Sequence, residues 1–118
     1  MSLTFNTKVF TADSFAANAV NYAGPAHTLS IRDDLLMTRQ AARETSVFSG
    51  VGRFRAKLGR TLTLTGAKTT SHEGILDLSG SMPVGAAGAD IDAMVNDFAA
   101  LLALAAFKTV AKNLLITY

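Results

Sequence analysis

The stretch VGRFRAKLGRTLTLT, Val51–Thr65, alternates more strictly than any other part of the chain. Even positions carry Phe54, Ala56, Leu58, Leu62 and Leu64. Odd positions carry Arg53, Arg55, Lys57, Thr61, Thr63 and Thr65. A strand sends successive side chains to opposite faces, so this one has an apolar face and a face that grades from basic into Thr. Arg60 is the one exception on the apolar side.

Working outward, the same pattern recurs on both flanks. Downstream, Gly66–His72 reads as a turn-rich loop. Glu73–Val84 (EGILDLSGSMPV) then sets Leu76, Leu78, Met82 and Val84 against Ile75, Asp77, Ser79 and Ser81. Upstream, Glu44–Gly52 reads as a loop, and Leu29–Ala42 (LSIRDDLLMTRQAA) as a strand. Its Leu29, Ile31, Leu35 and Met37 oppose Ser30, Arg32, Asp34, Thr38 and Gln40, with Asp33, Leu36 and Arg39 breaking the pattern. Strands with one apolar and one polar face make an antiparallel sheet covered on one side only. Ala19–Ala23 is a weaker strand stopped by Gly24-Pro25. Leu3–Thr7 and Val9–Thr11 read as a short hairpin.

After Gly85-Ala86-Ala87-Gly88 the period changes. Ala89–Asn113 is Ala-rich, with Ile91, Met94, Val95, Phe98, Leu101, Leu102 and Ala105 at helical spacing. Asp90, Asp92 and Asp97 come early and Lys108 and Lys112 late, the order that complements a helix dipole. Between Phe98 and Phe107 the helix is apolar nearly all round, and such a helix must be buried. One thin sheet covers only one side of it, so a second chain is expected on the other. Met94, Phe98, Leu101, Leu102 and Phe107 are the expected dimer-interface residues. The fold class is α+β: an N-terminal β-hairpin (1–12), an antiparallel sheet of about five strands (18–84), and C-terminal α-helices (89–114) packing across a dimer partner. The chain reads as a single domain, 1–118.

Composition narrows the function. The chain has 118 residues, 49% of them apolar, 17% charged, and no Cys. It is too apolar for a disordered chain. Without Cys there is no disulfide framework, Cys-ligated metal or Cys nucleophile, and His27 and His72 alone are too little for a His-based metal site. The longest uncharged apolar run, Phe98–Phe107, is ten residues, against the roughly 18 that a membrane span needs. The N-terminus MSLTFNTK shows no signal-peptide pattern. A soluble protein made inside the cell is expected, with no membrane partner.

No enzyme is expected. Asp33 and Asp34 are adjacent on a strand and point to opposite faces. His72-Glu73 lies in a loop, and Ser14, Ser46 and Ser49 lack a matching Asp/His framework. No phosphate-binding Gly loop or metal-ligand spacing occurs. Catalytic residues, metals and cofactors are therefore expected to be none.

The charge is unevenly placed. Residues 39–68 hold Arg39, Arg43, Arg53, Arg55, Lys57, Arg60 and Lys68 against Glu44 alone, a net +6, whereas residues 1–38 sum to −1 and 69–118 to −3. A local basic patch on a nearly neutral chain is a plausible polyanion footprint; a solvated face with no partner is the competing reading.

The order of these elements resembles the coat proteins of the single-stranded RNA bacteriophages, the leviviruses. Three stretches carry the likeness: FSGVGRFRAKLGRTLTLTGA (Phe48–Ala67), ILDLSGSMPVGAAGADIDAMVNDFAALLA (Ile75–Ala103) and the terminus FKTVAKNLLITY (Phe107–Tyr118). The last is similar to the family's short second helix and aromatic end.

The resemblance implies a structural capsid protein. One subunit's sheet continues edge to edge into its partner's, the helices reach across onto the partner's sheet, and the interlocked dimers build an icosahedral shell in the virion. Assembly takes place in the bacterial host cytoplasm. The polar sheet face turns inward to the genomic RNA, and in well-studied members it binds an RNA stem-loop and represses replicase translation. The N-terminal hairpin lies on the shell exterior. Carried over residue by residue, the RNA contacts are Thr38 and Gln40 on one strand, Arg53, Arg55, Lys57 and Thr61 on the next, and Asp77 and Ser79 on the last. Arg and Lys suit phosphate oxygens; Thr and Gln suit bases or sugars. The chain departs from the family in lacking an aromatic between Gly59 and Ser81; Tyr22 is the nearest candidate for base stacking. The alternative is a non-viral dimeric nucleic-acid-binding module with a basic β-sheet, which would form dimers and never shells.

Overall fold

The alternating stretches pair into one antiparallel meander. The structure is a computed structural model that describes residues 2–116. Six strands, β1 (Ser2–Phe5), β2 (Lys8–Ala16), β3 (Ala19–Ala23), β4 (Asp33–Gln40), β5 (Val51–Thr63) and β6 (Ser71–Pro83), lie side by side in chain order. Two helices follow, α1 (Gly88–Ala103) and α2 (Ala105–Asn113). The expected α+β class is what the chain adopts. The strands and the helices belong to two compact units, Met1–Val84 and Gly85–Tyr118, described in turn.

The register of β4 and β5 resolves the two exceptions in the sequence pattern. Asp33 stands directly opposite Arg60, as Leu35 stands opposite Leu58 and Met37 opposite Ala56. The two charges that interrupt the apolar face are therefore cross-strand partners: Arg60 Nε donates to Asp33 Oδ1 at 3.1 Å. The Asp33 side chain is 2% exposed, and its other oxygen accepts the Ala26 N–H at 3.2 Å. Gly24 completes the arrangement. A Cβ there would lie 2.6 Å from the Asp33 carboxyl carbon, so the β3–β4 loop can close over the carboxylate only because position 24 has no side chain.

That loop shortens the strand expected over Leu29–Ala42, which begins only at Asp33. Residues 28–31 close on themselves: the Thr28 N–H donates to the Ile31 carbonyl at 2.9 Å, and the Thr28 hydroxyl accepts the Ile31 N–H at 3.0 Å. Such side chain-to-backbone bonds compete with a ladder. Leu29, counted in the apolar alternation, is fully exposed.

The N-terminal hairpin is part of the main sheet. Asn6 and Thr7 have φ of 50° and 60°, the two-residue turn whose twist matches its flanking strands. Beyond Thr11 the second strand continues to Ala16 and pairs with β3 across an irregularity between Ala12 and Ser14. Its Phe10 is fully buried and stacks on Phe5, ring centroids 4.6 Å apart. The hairpin thus carries a core residue, which its Thr- and Asn-rich composition had hidden.

In the second unit, the run expected to be helical from Ala89 to Asn113 breaks at Leu104, which is extended at φ −72° and ψ 140°. The two helices are bent 59° to each other. Neither Gly nor Pro stands at the break, so the local sequence gives no signal for it. Because the run is two helices, the expected dipole order is met at one end of each: Asp90 lies in the first turn of α1 and Lys112 in the last turn of α2, while α1 has no basic residue in its last turn and α2 no acidic residue in its first. No residue of either helix is buried: Met94, Phe98, Leu101 and Leu102 are all exposed, and Phe107 is half-buried. No single helix among the described residues is long and apolar enough to cross a membrane. The aromatic end at Tyr118, part of the third stretch of resemblance, lies outside the described residues.

The Asp33–Arg60 pair gives a direct test. Replacing Arg60, whose side chain is 36% exposed, with Ala leaves a buried carboxylate with one amide donor, and a buried acceptor short of a partner in this way costs about 2 kcal/mol. Urea denaturation at fixed protein concentration should show a loss of that size. A loss within the ±0.5 kcal/mol typical of surface positions would mean that the Ala26 amide alone satisfies Asp33.

Candidate nucleic-acid interface

Directly opposite residues in an antiparallel sheet share a face, so register alone locates the polar side. Gln40, Arg53 and Ser81 form one row across β4, β5 and β6. Thr38, Arg55 and Ser79 form the next, Leu36, Lys57 and Asp77 the third, and Asp34, Gly59 and Ile75 the fourth; Thr61 opposes Glu73. All eight residues expected to contact RNA, Thr38, Gln40, Arg53, Arg55, Lys57, Thr61, Asp77 and Ser79, therefore lie on one face of the sheet. Apolar Leu36 and Ile75 share it.

The structure pairs several of these groups with one another. Arg55 Nε donates to both Asp77 oxygens, at 2.8 and 2.9 Å, and its terminal nitrogen also bonds Asp77 Oδ2. The Arg55 hydrogen bond holds the Asp77 carboxylate below its ordinary pKa of 3.8, and Lys57 opposite adds a smaller attraction. Asp77 in turn raises the pKa of Arg55. Thr61 is likewise occupied. Its hydroxyl accepts the Arg32 N–H at 2.8 Å, and its own N–H donates to the Arg32 carbonyl at 2.8 Å, so it extends the β4–β5 ladder by one rung.

Arg32 is the residue that the sequence pattern placed on the polar side without assigning it a part. Its Nε donates to both Asp34 oxygens at 3.0 Å, and a terminal nitrogen reaches Glu73 Oε2 at 2.7 Å. Both carboxylates raise its pKa, Asp34 more than Glu73. The guanidinium lies flat over Gly59, where a Cβ would be 2.8 Å from its central carbon; the close approach requires Gly at that point in the strand. The shared parity of Arg32 and Asp34 was legible; His72 and Glu73, expected in a loop, lie instead in β6 (Ser71–Pro83), and the register brings Glu73 to Arg32.

The local charge is thus smaller than the sequence sum. Of the seven cations in residues 39–68, only Arg53, Arg55 and Lys57 are on this face. Arg39 opposes Phe54 and Arg60 opposes Asp33 on the other side, while Arg43 and Lys68 are in loops. With Arg32 added and Asp34, Glu73 and Asp77 subtracted, the face carries a net +1 per chain. Among the described residues Arg53 and Lys57 are in no ion pair, and they are its free cations. Tyr22, the nearest candidate for base stacking, opposes Leu35 and Ala12 on the apolar side and is buried. It is not available to a base on the polar face, because its position shares the parity of Val20 and not of Asn21.

The other face is apolar and open. Met37, Phe54, Leu62, Leu76 and Leu78 remain exposed there, Leu76 at 62%. The Phe54 ring lies against Gly80 of the neighbouring strand. Among the described residues only two hydrophobic side chains, Phe10 and Tyr22, are buried. No group of three or more His, Asp or Glu side chains that could hold a metal ion occurs among those residues.

No family model and no curated protein matches the sequence. Solved structures do match. The chain is similar to the virus-like particle of Beihai levi-like virus 32 at a TM-score of 0.81, with 13% identity, covering 96% of this chain and 91% of that one. It is similar to the virus-like particle of Wenzhou levi-like virus 4 at 0.72, with 18% identity over 94% and 77%. It is also similar to the coat protein of bacteriophage EMS014 at 0.60, with 17% identity over 80% and 63%. At these identities the likeness is one of fold, and it bears out the levivirus-type coat-protein fold expected from the order of elements.

The Arg55–Asp77 pair predicts a pH dependence. A carboxylate with a lowered folded pKa contributes stability that is present above its ordinary value and lost as pH falls through the folded one. The pair's contribution should hold at neutral pH and fade as pH falls below 3.8 toward the lower folded value. A carboxyl-carbon NMR titration of Asp77 should give a midpoint below that value, rising in the Arg55→Gln variant. An unchanged midpoint in the variant would mean the pair does not form in solution.

Proposed function

We propose that the chain is a structural capsid subunit that forms interlocked dimers, assembles into an icosahedral shell, and turns its polar sheet face to single-stranded RNA. The observation that carries the reading is the shortage of cover: among the described residues only two hydrophobic side chains are buried, the sheet leaves large apolar side chains exposed on one face, and the helices bury none of theirs. A contiguous exposed apolar surface marks an interaction site. A second copy has what each surface lacks, since its helices can cover the sheet and its sheet can receive the helices.

The edge of the sheet supports the same pairing. β6 has a ladder partner on one side only, and at 13 residues it is a long unpaired edge of the kind that templates pairing with another chain. Pairing it with its copy across a twofold axis would join the two polar faces into one floor. The dimer interface would then take in Met94, Phe98, Leu101, Leu102 and Phe107. The shell is the compartment of the protein, the virion capsid, and assembly takes place in the cytoplasm of a bacterial host.

RNA contact on this reading is mainly to phosphate. Strands β3 to β6 set no aromatic residue on the polar face, so packaging through Arg53 and Lys57 is better supported than recognition of a stem-loop and repression of replicase translation. The protein acts by assembly and not as an enzyme.

Three experiments test this. Purified protein viewed by negative stain should show shells with absorbance at 260 nm from enclosed RNA. Discrete dimers alone would favour the non-viral nucleic-acid-binding module. Replacing Leu101 with Asp would place an unpaired charge in the interface and should abolish soluble dimer; a folded monomer in sedimentation would sink the interlocked dimer. Replacing Arg53 and Lys57 with Ala should flatten the slope of log affinity against log salt by about 0.7 for each phosphate that is no longer neutralised, and an unchanged slope would remove the polar face from RNA binding.

A further inference from the structure

The polar face carries its own anions in register with its cations. Lys57 stands directly opposite Asp77, yet the hydrogen bonds of Asp77 go to Arg55 one row away. The bond is two-pronged, the geometry in which a guanidinium grips a carboxylate or a phosphate equally well. Both partners are open to solvent, the Arg55 side chain at 52% and Asp77 at 31%. An ion pair this exposed contributes little to stability and is readily exchanged. It therefore has a consequence for binding more than for folding, because a phosphate approaching Arg55 meets a site already filled by a group of similar charge and shape.

Resting on the RNA-facing reading of this side of the sheet, we propose that Asp77 is an intramolecular competitor for phosphate, which holds Arg55 out of RNA contact and lowers the affinity and salt dependence of the face. Arg53 and Lys57, in no ion pair among the described residues, set the resting affinity. Arg55 joins them only when a phosphate displaces Asp77. The carboxylate thereby restrains binding to any polyanion without removing the positive charge from the strand. The Arg32–Asp34–Glu73 cluster differs, since two carboxylates share the Arg32 guanidinium and the loss of one leaves the other bonded to it.

The test is fluorescence anisotropy of a labelled oligouridine with the full chain, kept dilute enough to stay unassembled, over a salt series. Asp77→Asn keeps the side-chain volume and removes the charge. It should steepen the salt slope by about 0.7, the value of one further neutralised single-strand phosphate, which corresponds to about fivefold tighter binding near 0.1 M salt. The same substitution made on an Arg55→Gln background should give a much smaller gain. An undiminished gain there would mean that Asp77 acts as a general repulsive charge, and the competitor role would fall. A Lys57→Ala arm separates the two levels. If Lys57→Ala flattens the slope while Asp77→Asn leaves it unchanged, the face binds RNA and the competitor proposal is wrong. If Lys57→Ala also leaves the slope unchanged, the RNA-facing reading fails and takes the proposal with it.

Discussion

The large apolar residues that this chain leaves exposed on its sheet and helices far outnumber the two that it buries among the described residues. Phe10 and Tyr22 are the only hydrophobic side chains buried among the described residues, and folding draws its main favourable term from such burial. A chain of this length ordinarily hides about two-thirds of the surface its unfolded form exposes. The open face of Met37, Phe54, Leu62, Leu76 and Leu78 and the apolar sides of α1 are consequently more than incidental exposure. On the proposed dimer reading, they are surfaces that a second copy would cover.

The polar face obeys a different constraint, that of charge. A sum over residues 39–68 suggests a strongly basic region, but a sum along sequence mixes two faces and two loops. Register removes Arg39 and Arg60 from the polar side, and the neighbouring strands supply Asp34, Glu73 and Asp77. What remains is a nearly balanced surface with free cations at Arg53 and Lys57. On the proposed RNA-facing reading, such a surface would attract polyanions weakly and reversibly.

How much of this was legible in the sequence depends on the range of the cause. Alternation is local, so the faces of β5 and β6 and their polar residues could be read from the chain alone. The Asp33 and Arg60 exceptions were visible as exceptions, yet that they answer each other lay in the β4–β5 register. The loop begins at Gly24-Pro25 as expected, but its continuation over 29–32 was not legible, because the Thr28 turn that causes it competes with a convincing apolar alternation at Leu29 and Ile31. The break at Leu104 left no mark in residue type. Phe10 was hidden for the opposite reason: a single buried ring in a polar hairpin gives no period to detect.

The strict alternation of β5 has one more consequence for how the two constraints combine. Its even residues, Phe54, Ala56 and Leu58, belong to the surface that must be covered; its odd residues, Arg53, Arg55 and Lys57, belong to the surface that meets solvent or polyanion. Side chains two apart share a face and those one apart do not, so substitutions can alter either surface without touching the other. A one-residue slip in the pairing would exchange them wholesale, placing three cations against the apolar face. The Asp33–Arg60 pair opposes that slip, since only the native register brings a buried carboxylate opposite its cation. The ionic contact on the apolar side thus adds to the apolar alternation in keeping the basic residues on the polar one.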